Sequence, residues 1–181
     1  MILSDSELVE MLREPRTRRE GFAVLVKQYS EKLYWKVRRI VLSHEDANDV
    51  LQNVFIKVWS NLQNFQGKSS LSTWLYRIAV NESLDFLRKQ KLADKVSADE
   101  DDSVASRLMS DEYFDGDKVQ ARLQEAVARL PEVQRTVFNL KYFEEMKYSE
   151  MSQILNTSEG ALKASYHLAV KKITEYLHLF D

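Results

Sequence analysis

The chain has no cysteine among its 181 residues. Disulfides, thiolate metal sites and a cysteine nucleophile are therefore excluded. Glycine and proline together make only 6 of the 181 residues, against about 12% in ordinary globular chains. So few chain breakers exclude collagen, propeller repeats and Gly-rich phosphate loops, and they favour long helices. No apolar run approaches the roughly 18 residues of a membrane span. The opening Met1-Ile2-Leu3-Ser4-Asp5 lacks the basic-then-apolar pattern of a signal peptide, and a cytoplasmic location is expected. What is present is a 44% hydrophobic share, enough to bury a core, in a length suited to one ordinary domain or two small ones.

The net charge is −2, which by itself does not suggest nucleic acid. Its distribution is uneven. Residues 1–90 carry 14 basic and 11 acidic side chains, residues 91–116 carry 3 and 8, and residues 117–181 carry 9 of each. The middle segment contains Asp99-Glu100-Asp101-Asp102 and little helical periodicity. It reads as a flexible acidic linker, either a solvated spacer or a charge run that imitates nucleic acid within a basic channel.

Both flanks show helical periodicity. Ser4 with Glu7 makes a capping box, and Pro15 stops that first helix. Phe22, Leu25, Val26, Tyr29, Leu33, Val37, Ile40 and Val41 form one stripe. Val50, Leu51, Val54, Phe55, Val58, Trp59 and Leu62 form the next. After the break at Gly67-Lys68-Ser69-Ser70, a third stripe runs through Leu71, Trp74, Leu75, Ile78, Leu84 and Leu87. Residues 1–90 are thus expected to form a compact bundle of about four helices.

Beyond the acidic segment, Val119, Leu123, Val127 and Leu130 give one helix. Pro131 suits the first turn of the next, which carries Val133, Val137, Phe138 and Leu140. Ser149 is the expected cap of a short helix with Met151, Ile154 and Leu155. Asn156-Thr157 turns the chain. Ser158 can cap a last helix with Leu162, Tyr166, Ala169, Ile173 and Leu177 inward. A short helix, a tight turn and a longer helix make the helix-turn-helix pattern. The outward face would then show Ala161, Lys163, Ala164, His167, Leu168 and Lys171, small residues for close approach and lysines for phosphates or base acceptors. An ordinary αα-hairpin with a solvated outer face is the alternative.

The segment FQGKSSLSTWLYRIAVN, from Phe65 to Asn81, sets a Gly-Lys-Ser-Ser loop before a helix bearing Trp74, Tyr76 and Arg77. Lys68 offers charge to phosphate, the serines offer hydroxyls, and Asn81 offers a paired donor and acceptor suited to a base edge. Such a loop beside a basic helix makes a plausible single-strand surface. Core packing is the simpler role for Trp74. The Gly-Lys-Ser triplet is not a Walker motif, because the earlier glycine and the preceding buried strand are missing.

These residues resemble the extracytoplasmic-function (ECF) sigma factors, the small two-domain members of the sigma-70 family. The stretch DANDVLQNVFIKVWSNLQNF followed by SSLSTWLYRIAVN is similar to the family's region 2. The stretch ARLPEVQRTVFNLKYFEEMKYSEMSQILNTSEGALKASYHLAVKKI is similar to its region 4. The likeness spans about residues 20–90 and 118–178, in the family's order. It implies an all-α chain with sigma region 2 at 1–90, a flexible acidic linker at 91–116 and a sigma region 4 helix-turn-helix domain at 117–181. It further implies binding to core RNA polymerase through the β′ clamp helices and the β flap, recognition of −35 and −10 promoter elements, and opening of the duplex. An anti-sigma factor is a usual partner of such proteins.

Residue by residue, the resemblance assigns Asp49, Gln52 and Asn53 to core polymerase, with Asn53 departing from the acidic residue usual there. Phe55 would support that helix from the core side. Asn81 matches the position lining the pocket for a flipped −10 base. Lys68, Ser69, Ser70, Leu71 and Ser72 match the loop closing over it, with Arg77 alongside. For the −35 element it implies Lys163, Ser165, His167 and Lys171. Ser165, Leu168 and Val170 stand where many members have Arg, so few charged contacts are expected. The two elements lie about 25 base pairs or about 85 Å apart, and 26 residues extend to at most about 90 Å.

Neither a Ser-His-Asp set nor a positioned carboxylate pair is visible, and His44 and His178 have no metal-ligating residues at ligand spacing. No catalysis, cofactor or metal is expected. Two alternatives stand beside the sigma reading. A helix-turn-helix regulator without polymerase contact explains residues 149–177 but leaves the region 2 segment idle. A helical adaptor explains the stripes but not the Gly67–Asn81 loop.

Overall fold

The computed structural model describes residues 3–94 and 118–180. Most of the acidic segment, including Asp99 to Asp102, lies outside the described residues. Every regular element among the described residues is helical. The chain divides into two compact units, residues 1–41 with 45–95 and residues 42–44 with 96–181.

The first unit contains α1 (Asp5–Arg13), α2 (Arg18–Val41), α3 (His44–Asn61) and α4 (Leu71–Asp94). Helix α1 starts where the capping box predicts. Ser4 Oγ accepts from the Glu7 N–H, and the Ser4 N–H donates to the Glu7 carboxylate at 2.8 Å. The Ser4 hydroxyl also donates to that carboxylate at 2.6 Å, and this bond, with the one from the Ser4 N–H, favours the ionised form and holds the Glu7 pKa below its ordinary value. The helix ends at Arg13, before Pro15, as a proline disfavours helical geometry in the residue preceding it.

Helix α2 packs against both α1 and α4. Its stripe of Leu25, Tyr29, Leu33 and Val37 is buried, and each leucine of this kind stabilises the fold by about 1.5–3 kcal/mol. Gly21 permits the approach of α1: a Cβ there would stand 2.8 Å from the Cβ of Met11. In α4 the buried residues are Leu71, Leu75, Ala79, Val80, Ser83 and Leu87. The larger Ile78 and Leu84, expected inside, are only half-buried. The buried hydroxyl of Ser83 donates to its own helix, to the Ala79 carbonyl at 2.8 Å.

The second unit contains α5 (Lys118–Ala128), α6 (Glu132–Phe138), α7 (Tyr148–Leu155) and α8 (Glu159–Leu177). Its core joins Ala126, Val127, Leu130, Phe138, Ala169 and Ile173, with Leu123, Phe143, Tyr166 and Tyr176 packed around them. Phe138 stacks on Tyr142 at 5.0 Å and on Tyr166 at 5.8 Å between ring centroids. Val119 and Val133, expected on inner stripes, are 72% and 64% exposed. Helix α6 runs into a π-helical turn, Asn139–Phe143, which the periodicity did not foretell.

Candidate nucleic-acid and polymerase interface

Helix α8 begins with Ser158, whose Oγ accepts from the Ala161 N–H at 3.3 Å. Before it, Asn156 adopts left-handed φ 49 and ψ 46 and closes α7, a conformation that asparagine tolerates better than most residues. The expected cap at Ser149 does not form. Helix α7 starts at Tyr148, two residues earlier than a Ser149 cap would set it, and Glu150 reaches back to accept from the Lys147 N–H at 3.2 Å. The two helices and their turn make the helix-turn-helix geometry that the sequence suggested.

Leu162, Ala169 and Ile173 of α8 are buried, whereas Ala161, Lys163, Ala164, His167, Leu168 and Lys171 are exposed. Ser165 lies half-buried on the flank. Lys163 is held by two neighbours: its ammonium stands 4.0 Å from the Glu159 carboxylate and 5.5 Å from the centroid of Tyr148. Lys141 approaches the same ring at 5.1 Å. Tyr148 therefore meets two cations and positions Lys163, a role sequence reasoning missed because the pair is 15 residues apart. Lys171 lies 3.9 Å from Glu175. Both ion pairs are exposed and worth little to stability, so a phosphate can compete for either lysine.

In the first unit the loop before α4 is shaped by Gly67 at φ 70, a left-handed value that favours glycine. Phe65 packs on Trp74 at 5.1 Å, which ties the loop to the helix and gives Trp74 the packing role expected of it. Ser70 caps α4: its Oγ accepts from the Thr73 N–H at 3.1 Å. Lys68 and Ser70 are exposed, Ser69 and Ser72 half-buried. Leu71, grouped by resemblance with the loop that closes over a base and by periodicity with the inner stripe, is 1% exposed, so its side chain packs in the core.

Trp74, Arg77 and Asn81 follow at i, i+3 and i+7, on the side of α4 away from the buried stripe. Asn81 is exposed. Arg77 is half-buried, and its Nε is shielded from solvent without a protein acceptor. Between Ser72 and Asn81 the helix rises about 14 Å.

On α3, Asp49, Gln52 and Asn53 are exposed on the face opposite Ala47, Val50, Val54 and Val58, all of which are buried. Phe55 turns to α2, edge to face with Phe22 at 6.4 Å. Ile56 on the outer face is 63% exposed and Trp59 on its flank 41%. Lys57 pairs with Glu82 of α4.

Comparison with known proteins accords with this geometry. Residues 25–93 match the model of sigma-70 region 2, and residues 120–173 match that of sigma-70 region 4. The chain is 32% identical over 157 residues to the ECF RNA polymerase sigma factor SigW of Bacillus subtilis, covering 82% of this chain and 84% of SigW. It is 31% identical over 182 residues to the RNA polymerase sigma-H factor of Pseudomonas aeruginosa, with 96% and 93% covered. Among solved structures, the sigma factor RpoE of Bartonella quintana, in complex with the anti-sigma factor NepR, superposes with a TM-score of 0.69 at 20% identity, over 88% of this chain and 98% of RpoE. CnrH, in complex with the cytosolic domain of CnrY, gives 0.64 at 19% identity, over 98% and 96%.

The helices and their outward faces thus define a sigma-70 family protein, a subunit that gives RNA polymerase its promoter specificity. Within that family the chain belongs to the ECF sigma factors. Such proteins bind core polymerase and promoter DNA and are not themselves enzymes. Among the described residues no helix is long and apolar enough to cross a membrane.

Proposed function

We propose that this sigma factor works in the cytoplasm as three functional segments: 1–90 for core polymerase and the −10 element, 91–116 as linker, and 117–181 for the −35 element. The observation that carries the −10 assignment is the outward face of α4, where exposed Asn81 follows Arg77 by one turn. An amide presents a donor and an acceptor on one plane, which suits a base edge better than a phosphate. Flipping a base costs a few kcal/mol of unstacking and unpairing, and a site that bonds the flipped base offsets that cost. The rise between Ser72 and Asn81 suggests that the loop of Lys68, Ser69, Ser70 and Ser72 serves a second station on the same strand. On α3, Asp49, Gln52 and Asn53 are the side chains proposed to meet the β′ clamp helices, and Ile56 extends that face with apolar area. In the second unit Lys163, Ser165, His167 and Lys171 would meet the −35 duplex, with lysine contacts that supply affinity and weaken as salt rises.

Transcription by the purified chain with core polymerase tests this reading. On four promoters differing at one −10 position, Asn81→Ala should flatten the base preference by about 1–3 kcal/mol, with core binding unchanged. Unchanged ranking of the four bases would remove Asn81 as the reader. Replacing Asp49 and Gln52 with Ala should weaken core binding while the helical signal holds, and equal affinity would exclude that face.

A further inference from the structure

The outermost face of α8 carries a side chain that phosphate binding does not require. Leu168 is 46% exposed. A lone aliphatic side chain on a surface is ordinary, so its setting decides its meaning. Ala164, His167, Leu168 and Lys171 recur at i, i+3, i+4 and i+7, the spacing of one helical face, and all four are exposed. They lie opposite Leu162, Ala169 and Ile173, the residues that seat α8 in its unit.

The lysines sit at the flank and at the C-terminal end of this patch, and Leu168 lies between them. Lys163 is held on the flank near Tyr148 of α7, and Lys171 stands beside Glu175, one turn beyond Leu168. The helix sequence EGALKASYHLAVKKITEYL contains no arginine. The planar arginine fork on the two major-groove acceptors of guanine is therefore impossible from α8, which leaves its lysines to donate to them. A leucine beside an alanine offers a base pair only apolar surface. In the major groove one natural base presents an apolar group on its edge, the 5-methyl of thymine.

We infer that α8 reads thymine methyl groups in the −35 element, with Leu168 as the specificity-determining side chain and Ala164 leaving room for the methyl; this rests on the reading of α8 as the −35 helix. Lysines at the patch's edges fix the register on the phosphates, and the leucine supplies sequence preference. Burying one methyl-sized group favours binding about fourfold, equivalent to about 0.8 kcal/mol.

The test uses the full chain bound to core polymerase. A −35 element is first selected from a randomised library. Its thymines, on both strands, are then replaced one at a time by uracil, which removes only the methyl. Uracil at one or two positions should weaken binding about 3- to 10-fold. Leu168→Ala should bind the thymine and uracil forms alike, while Leu168→Met, which keeps an apolar end, should retain the discrimination. Equal binding of both forms by the unmodified protein would overturn the inference, as would full discrimination surviving in Leu168→Ala. Failure of the underlying reading looks different and also overturns it: no holoenzyme forms, or the holoenzyme selects no −35 sequence, before any uracil is introduced.

Discussion

The two units bury different chemistry and show different faces. The first is built on aliphatic stripes, with Leu25, Leu33 and Leu75 all at 0% exposure, and it presents an amide, hydroxyls and one loop lysine along α4. The second is centred on Phe138, whose ring meets Tyr142, Phe143 and Tyr166, and it presents lysines and a leucine on α8. The first surface suits bases taken out of a duplex, whose edges are free to bond. The second suits an intact duplex, where phosphates and groove edges are what a helix can reach. All three tryptophans, Trp35, Trp59 and Trp74, belong to the first unit, so the units can be followed separately: tryptophan fluorescence reports the first, and the helical signal reports both.

That separation makes the contrast breakable. Phe138→Ala should cost about 3–5 kcal/mol and bring an early loss of part of the helical signal, with the fluorescence midpoint unmoved. Leu75→Ala should cost about 2–5 kcal/mol and do the reverse, moving the fluorescence transition first. If either variant shifts both signals together, the units unfold as one block and the contrast between their cores has no energetic meaning.

A smaller effect tests how α1 is seated. Gly21→Ala would drive a Cβ into the Cβ of Met11, and overpacking of this kind costs about 1–3 kcal/mol. Because the colliding atom is the first of the side chain, Met11→Ala cannot relieve it but Met11→Gly can. A double-mutant cycle on urea unfolding should show Gly21→Ala and Met11→Gly coupled, and Gly21→Ala with Met11→Ala additive. Additivity in both cycles would mean that the helices simply part.

The smallest effect is a pH dependence confined to the first unit. Lys36 of α2 lies over the Tyr76 ring at 4.0 Å. Burial, with Arg39 and Lys32 nearby, pushes its pKa from 10.5 down to about 8. The folded state therefore binds fewer protons than the unfolded chain between those values, and stability rises with pH across that window, the cost being full below it. Burial raises Tyr29 and Tyr76 instead, an opposing effect that begins near pH 10. Between pH 7.5 and 9.5 the fluorescence-detected stability should climb, and Lys36→Met should flatten the climb. A wild-type curve that falls over this range would refute the burial of the charge.

What the chain decided locally was legible. The caps at Ser4 and Ser158, the turn at Asn156 and the helical stripes depend on residues three or four apart, whose hydrogen bonds and spacing follow from the backbone alone. Outward placement of Asn81, Lys163, Leu168 and Lys171 followed from the same period. Choices between neighbours of similar character were not legible. Ala79 and Ser83 went inside where Ile78 and Leu84 were expected, and Ser83 lost nothing by burial because its hydroxyl bonds its own helix. Val133 went outward although it continues a stripe, whereas Leu71 went inward as its own stripe predicts. The π-helical turn at Asn139–Phe143 and the two lysines on Tyr148 likewise had no local signal. Periodicity says only that a face is apolar. Which side chain fills the space is decided by the shape that a distant helix brings to it, and that shape exists only once the chain has folded.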